Sequence, residues 1–239
     1  MYYKCINEKY FTQNKNIDTK IDNYSIYQNT DLLKIEESAN FIFEESKINN
    51  IPINLLYIIL GLSVGKSYSE GSLGIVINNL LRGKGKTFYK INDLIKSPYG
   101  EKNSGNKIIK LYESAKNLKS VDVSIFDNGS FLWEWFGEKI RKERFPLLPS
   151  RLDSYFLFKD KKSAEYYINK YRFNEDIKIV MAEPIETIYE KTFDMSIWDE
   201  DNVESFYYKC ETQMIRYWSS EKVQKIPEIL FQGKLRLFE

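Results

Sequence analysis

The chain changes texture at one place, and that change limits the folds open to it. From Asp31 to about Arg144 the apolar residues recur mainly at helical spacing. Beyond Phe145-Pro-Leu-Leu-Pro149 they gather in short runs rich in aromatic and β-branched residues, the texture of strands. Pro146 and Pro149 fix their own backbone angles and restrict the residues before them, so the turn is sharp. The spacing predicts a strand over Leu152–Phe158. A helix over Asp160–Tyr171 follows, with Ala164, Tyr167, Ile168 and Tyr171 on one face.

Before the turn, Tyr2–Ile6 predicts a short first strand. Asn7–Tyr27 is polar and gives no clear period. Helices are predicted from Asp31 to about Ser46, over Ile53–Leu62, Ser72–Leu81 and Lys107–Ala115, and most strongly over Phe131–Arg144. Trp133, Trp135 and Phe136 in that last helix are expected to be largely buried, because three large aromatics in four positions cannot face water cheaply. Its Lys139, Arg141, Lys142 and Arg144 form a basic face. Such a face is either solvated, near a helix C-terminus that favours cations, or used to bind a target. After the turn, strands are predicted at Ile177–Met181 and Thr187–Phe193, and a helix at Asn202–Trp218. Glu228–Phe231 and Lys234–Phe238 are read as two terminal segments hinged at Gly233. The fold class read from this order is α+β, with residues 1–30 and 145–239 forming a core and residues 31–144 a helical insertion.

The absence of histidine removes whole classes of chemistry. Ser-His-Asp and Cys-His catalysis and His-ligated metal sites are excluded. Cys5 and Cys210 are far apart and fit reduced, buried thiols of a cytoplasmic protein. No metal site is expected. Lys plus Arg is 35 and Asp plus Glu is 34, so no global basic field draws the chain to nucleic acid. Ile51–Val64 is apolar, but Pro52 and Asn54 interrupt it and it is too short to cross a bilayer. No signal peptide is read at Met1–Cys5, and no membrane association is expected.

Two glycine-bearing stretches imitate phosphate loops. Gly61-Leu-Ser-Val-Gly65-Lys66-Ser67 has three residues between its glycines where the loop needs four, and it follows a helical run instead of a strand. Gly83-Lys-Gly-Lys86-Thr87 lacks the earlier glycine. No Gly-x-Gly-x-x-Gly follows a strand.

What remains is a set of element ends. Arg151 and Ser154 open one strand, Asp194 ends another, Tyr217-Trp218 closes a helix, and Glu228 begins the last strand. An Arg here either clamps a phosphate or pairs with a carboxylate to brace the turn. Glu228 either holds a ribose hydroxyl or is an exposed strand-end charge. An aromatic nearby could stack on a nicotinamide or adenine ring.

In this order the segments resemble the ADP-ribosyltransferases, in particular the small bacterial branch that includes rifampicin ADP-ribosyltransferases and a related uncharacterised bacterial family. Tyr2-Tyr3-Lys4-Cys5 resembles the first NAD-binding strand. Pro149–Phe158 with Ala164 resembles the aromatic-containing second strand and its helix. Ile177–Pro184 and Phe193-Asp194-Met195 resemble the next strand and its acidic turn. Tyr217-Trp218 and Glu228-Ile-Leu-x-x-Gly233-Lys-Leu-Arg-Leu237 resemble the segment with the catalytic acid and the last strand. Two departures stand out. The first strand has Tyr3 and Lys4 where relatives carry a histidine, and Ile226 stands two before Glu228, where arginine-modifying toxins have Gln or Glu.

The resemblance implies a split antiparallel β-sheet core that binds NAD as substrate and transfers ADP-ribose, as toxins and phage-defence effectors do. Glu228 is then the catalytic acid that stabilises an oxocarbenium-like ribose. Arg151 neutralises pyrophosphate, Ser154 orients ribose or amide, and Tyr155 or Phe156 stacks the nicotinamide. Tyr3, Lys4, Asp194, Tyr217 and Trp218 complete the implied NAD-binding set. The implied partners are NAD, an acceptor that is a macromolecule or a small molecule, and the cognate antitoxin a toxin would bring. Water as acceptor gives an NAD glycohydrolase on the same scaffold. An interaction protein that kept the scaffold without the chemistry is the reading from another class, and the missing histidine favours it.

Overall fold

The computed structural model describes residues 1–13, 15–22, 32–50, 52–54, 56–57, 129–172, 175–198, 205–219 and 225–239. The elements are β1 (Tyr2–Asn7), α1 (Glu8–Gln13), β2 (Asn16–Asp18), α2 (Leu32–Asn49), α3 (Gly129–Arg144), β3 (Tyr155–Phe158), α4 (Lys161–Tyr171), β4 (Ile177–Asp194), α5 (Met195–Trp198), α6 (Tyr207–Ser219) and β5 (Pro227–Phe238). The helices predicted at Ser72–Leu81 and Lys107–Ala115 and both glycine stretches lie outside the described residues. Among the described residues no helix is long and apolar enough to cross a membrane. The chain divides into two compact units. The first comprises Met1–Asn29, Gly137–Glu200 and Thr212–Glu239, and the second Thr30–Phe136 and Asp201–Glu211.

The first unit is α+β around a five-stranded antiparallel sheet of order β2-β5-β3-β1-β4, and β4 also pairs with β5. The pairings β1–β3–β5–β4–β1 therefore form a ring. β4 makes this possible by serving two partners in turn: Ile177–Ala182 runs along β1, and Met181–Asp194 runs along β5. Tyr2–Ile6 thus joins the C-terminal strands, as its strand-forming residues require. One face of the sheet carries a buried cluster that includes Ile6, Tyr155, Leu157, Val180, Ile229 and Phe231. The opposite face carries Phe158, Ala164, Met195 and Ile226, with Tyr3, Cys5 and Tyr167 packed against them. α4 closes over that second face. Its N-cap is Asp160, whose carboxylate accepts from the Ser163 amide at 2.8 Å.

Several elements differ from the sequence expectation. Asn7–Tyr27 contains α1 and β2, which the polar sequence hid; β2 is held by pairing with β5, Ile17 facing Leu235. The segments at Ile177–Met181 and Thr187–Phe193 are one strand. Pro184 looks like a stop, but register shifts at Pro184/Glu186 and Thr187/Tyr189 absorb it. The residues skipped by those shifts, Ile185 and Ile188, are the large hydrophobics of this strand that stand exposed, at 56% and 57%. The last two segments are likewise one strand. Gly233 lies inside it, not at a hinge between two pieces. β3 begins only at Tyr155, because the Ser154 amide bonds back to the Arg151 carbonyl at 3.1 Å and keeps the preceding residues in a turn. α6 begins at Tyr207, after the non-helical Ser205 and Phe206, and the predicted start at Asn202 lies outside the described residues.

Gly233 has φ +142°, and a Cβ there would lie 2.0 Å from the Glu186 carbonyl oxygen. Its amide donates to Thr19 Oγ1 at 2.8 Å, and its carbonyl accepts from the Thr19 amide at 3.0 Å. Three strands therefore meet on one backbone position that only glycine fills. Gly233→Ala is expected to lower stability by about 2–4 kcal/mol, combining backbone strain with a steric clash. Urea unfolding measures this, and an unchanged midpoint would refute it.

In the second unit, Ile35, Ala39, Ile42 and Phe43 form the buried face of α2. Phe136 is fully buried and meets Phe43 edge-on at 4.9 Å and Tyr207 at 5.3 Å. Trp135 is buried as expected, whereas Trp133 is half-buried. Ser205 caps the helical turn that starts at Ile53, its carbonyl accepting from the Ile53 amide at 2.8 Å.

Candidate functional site

The site is built from the turn after α3. At the end of that helix Arg141 forks onto Glu138, at 2.7 and 2.9 Å, and donates to the Leu148 carbonyl at 2.6 Å. The expected basic face is therefore partly a brace: Arg141 ties the proline turn down, and Lys139 pairs with Glu143 at 2.7 Å. Ser150 continues the brace, since its hydroxyl accepts from the Leu152 amide at 3.1 Å. Arg151 is then delivered inward and is only 3% exposed.

There Arg151 meets Glu228, which is also 3% exposed. Glu228 is the second residue of β5, paired across the sheet with Phe158 and Phe193. The guanidinium Nη1 donates to Glu228 Oε1 and to the Tyr217 hydroxyl. Nη2 lies 3.5 Å from Oε2, and the Tyr217 hydroxyl donates to Oε1 at 3.0 Å. Aromatic rings surround the cation. Its Cζ lies 4.1 Å from the Trp198 ring centroid, 4.5 Å from Phe156 and 5.2 Å from Tyr217. Desolvating two charges is costly, and this pair recovers that cost through mutual attraction, the hydroxyl and the ring faces.

Four of the residues singled out from sequence thus come together: Arg151, Phe156, Tyr217 and Glu228. The choice between Tyr155 and Phe156 follows from strand alternation. Phe156 shares its face with Glu228, while Tyr155 points into the opposite apolar cluster, where burial raises its phenol above the ordinary range.

The other candidates have their polar groups engaged elsewhere. Ser154 is buried; its hydroxyl donates to the Ser150 carbonyl at 2.7 Å and accepts from Gln232 at 3.3 Å. Asp194 accepts from the Ser196 amide at 2.9 Å and from the amides of Lys225 and Ile226 at 3.2 and 3.3 Å. It thereby fixes the chain just before Glu228. Trp218 donates its indole N–H to the Gly137 carbonyl at 2.8 Å and stands edge-on to Tyr217 at 5.1 Å. Tyr3 packs with Cys5 and Tyr167 on the face that α4 covers. Neither Cys5 nor Cys210 is in a disulfide, and burial raises their thiols to about 11 and about 12.

Lys4 sits where the sheet is thinnest. β1 and β3 share a single register position, Tyr3 opposite Phe158. Beside it the Lys4 ammonium donates to the Phe156 carbonyl at 3.0 Å and lies 4.1 Å from the Tyr155 ring centroid. Burial pulls this ammonium down to about 8 from its ordinary 10.5. Folding therefore disfavours the charged form, and between those two values the unfolded chain binds more protons. Stability from this group should rise with pH across about 8 to 10.5 and be flat below. Lys4→Met should abolish that rise. Urea unfolding of both proteins at pH 7, 9 and 10 is the check, and a constant difference between them would refute it.

Trp198 is the member of the cluster that the sequence reading missed. It ends the four-residue α5, and Gln213 holds that end by donating to the Ile197 and Trp198 carbonyls at 2.7 and 3.1 Å. Its ring lies where a side chain on residue 137 would be: a Cβ on Gly137 would come within 2.2 Å of Cη2. The available signal was Asp194 followed by Ser196, a helix-capping pattern that places an aromatic at the end of the first turn.

No curated protein matches the chain. Residues 76–239, which contain α3 and every element from the proline turn to β5, match the family DUF2441, described as a protein of unknown function. The match covers well over half of the sequence, and the chain belongs to the DUF2441 family.

Proposed function

We propose that this protein is an ADP-ribosyltransferase that uses NAD and transfers ADP-ribose to an acceptor nucleophile. The observation that carries the reading is the convergence of Arg151, Tyr217 and Glu228. They come from a turn, a helix and a strand, Arg151 lying 66 and 77 positions before the other two, and they meet as one polar cluster among aromatic rings. A cation for pyrophosphate, a carboxylate for ribose and flat ring surfaces for a base are what a glycosyl transfer from a dinucleotide needs. The antiparallel sheet, thinnest between β1 and β3, is consistent with a split-sheet core of that superfamily.

In the reaction the bond between ribose C1′ and the nicotinamide nitrogen breaks, and the electron pair leaves with nicotinamide. The acceptor then donates its pair to C1′ and loses its proton to solvent. Glu228 accepts a hydrogen bond from a ribose hydroxyl and stabilises the positive charge that develops on the sugar. Arg151 holds the pyrophosphate. To do so it exchanges its present partner, Glu228, for the incoming phosphates, and the same exchange frees the carboxylate for the sugar.

One observation favours a second reading, that of an interaction protein on this scaffold. Arg151 and Glu228 are closed on each other and almost fully buried. A structural ion pair has the same appearance. Calorimetry with NAD, beside an assay of nicotinamide release in the presence of cell lysate, separates the two. Binding and release support the transferase. A wild-type protein that neither binds nor cleaves NAD leaves the interaction protein.

A further inference from the structure

The two oxygens of Glu228 stand in different situations. Oε1 accepts from the Tyr217 hydroxyl at 3.0 Å and from Arg151 Nη1. Oε2 has only the long 3.5 Å approach of Arg151 Nη2 among the described residues. One of the two donors is held firmly by ring packing. The Tyr217 ring is fully buried and stacked on Phe193 at 5.0 Å and 20°. Trp198 and Trp218 stand edge-on to it at 4.9 and 5.1 Å. A ring packed on three sides cannot swing, so its hydroxyl is a fixed point. Arg151 is the donor that the proposed reaction draws away, because it exchanges Glu228 for the incoming pyrophosphate.

We propose that Tyr217 is the positioning residue for Glu228: it keeps Oε1 anchored when Arg151 turns to an anionic substrate, so that Oε2 is the oxygen presented to the sugar hydroxyl. This rests on the glycosyl-transfer reading and adds to it which oxygen works and what aims it. Without the hydroxyl, the carboxylate loses its fixed donor at the moment Arg151 turns to the substrate. It then rotates about its own side-chain bonds, and misaiming of that size costs rate rather than ground-state binding.

Tyr217→Phe removes the hydroxyl and keeps the ring. With carboxyl-¹³C glutamate, the infrared difference against Glu228→Gln isolates the Glu228 carboxylate stretch. That band should shift in Tyr217→Phe, because one hydrogen-bond donor is gone. In nicotinamide release, kcat should fall about 10- to 100-fold with KM for NAD nearly unchanged. 4-Aminophenylalanine at position 217, which keeps both ring and donor, should restore the band and most of kcat. An active wild type with an unmoved band in Tyr217→Phe, or a loss carried by KM, overturns the positioning role alone. A shifted band in a wild type that releases no nicotinamide overturns the transferase reading, and the positioning role with it. If Tyr217→Phe does not fold, the amino variant decides: a folded amino variant lacking both band and rate overturns the proposal.

Discussion

Arg151→Met should cost the first unit about 3–5 kcal/mol, and adding Glu228→Leu should return most of it. The single change leaves a carboxylate buried at 3% exposure with its cation gone and, among the described residues, only the Tyr217 hydroxyl to hold it. The reverse single change, Glu228→Leu, strands the guanidinium between Trp198 and Phe156, where ring faces supply only part of the missing charge. Removing both charges together removes both desolvation penalties. Hydrophobic replacements of a buried pair are often neutral, or stabilising by about 1–4 kcal/mol. The measurement is a double-mutant cycle by urea unfolding. Two small single effects that simply add would show that the pair is solvated and weakly coupled.

The sequence was most informative where period and length agreed. α3 and α4 came out nearly at their observed bounds, because long amphipathic runs with clear ends leave few alternatives. β2 was hidden because its three residues, Asn16–Asp18, are held by β5 more than two hundred positions away, and no local propensity records such a pairing. β4 was cut in two because Pro184 is ordinarily a strand breaker. What rescues it is the pair of register shifts opposite Lys234 and Gly233, visible only once the partner strand is known. The same shifts bring Gly233, the apparent hinge, so close to β4 that a Cβ there would lie 2.0 Å from the Glu186 carbonyl oxygen.

The candidate site shows a similar division. Arg151 and Glu228 were legible because each is a charge at an element boundary inside an apolar surrounding. Their partnership was not, since it links a turn to a strand 77 positions later. The bracing role weighed for Arg151 assumed a nearby carboxylate at the surface; the pair found is long-range and buried. Ser154 and Asp194 had the right residue types, but their oxygens are occupied by the backbone, as short polar side chains in turns usually are. The capping pattern at Asp194 and Ser196 points to a short helix ending at Trp198, but not to the place of its ring, which depends on the missing side chain of Gly137, sixty-one positions before it.

Glu228→Gln should separate binding from chemistry. The amide keeps the size of the side chain and can still accept from Tyr217 and Arg151, so it disturbs packing less than any other replacement. An oxocarbenium-like sugar needs the negative charge far more than the ground state does, so the loss should fall on kcat, about a hundredfold to a thousandfold. Affinity should move the other way. On the proposed reaction, pyrophosphate displaces the Glu228 carboxylate from Arg151 in the wild type, and a neutral amide should compete less for the same guanidinium. Glu228→Gln is therefore expected to bind NAD more tightly than wild type while turning it over more slowly. Calorimetry and nicotinamide release on the same preparations, at a temperature where both proteins are folded, read the two quantities separately. Tighter binding with lost turnover is the signature of a carboxylate that guards the cation at rest and serves the sugar during reaction. Full turnover by Glu228→Gln would remove Glu228 from the chemistry. Weaker binding would mean that Glu228 helps to hold NAD instead of giving way to it.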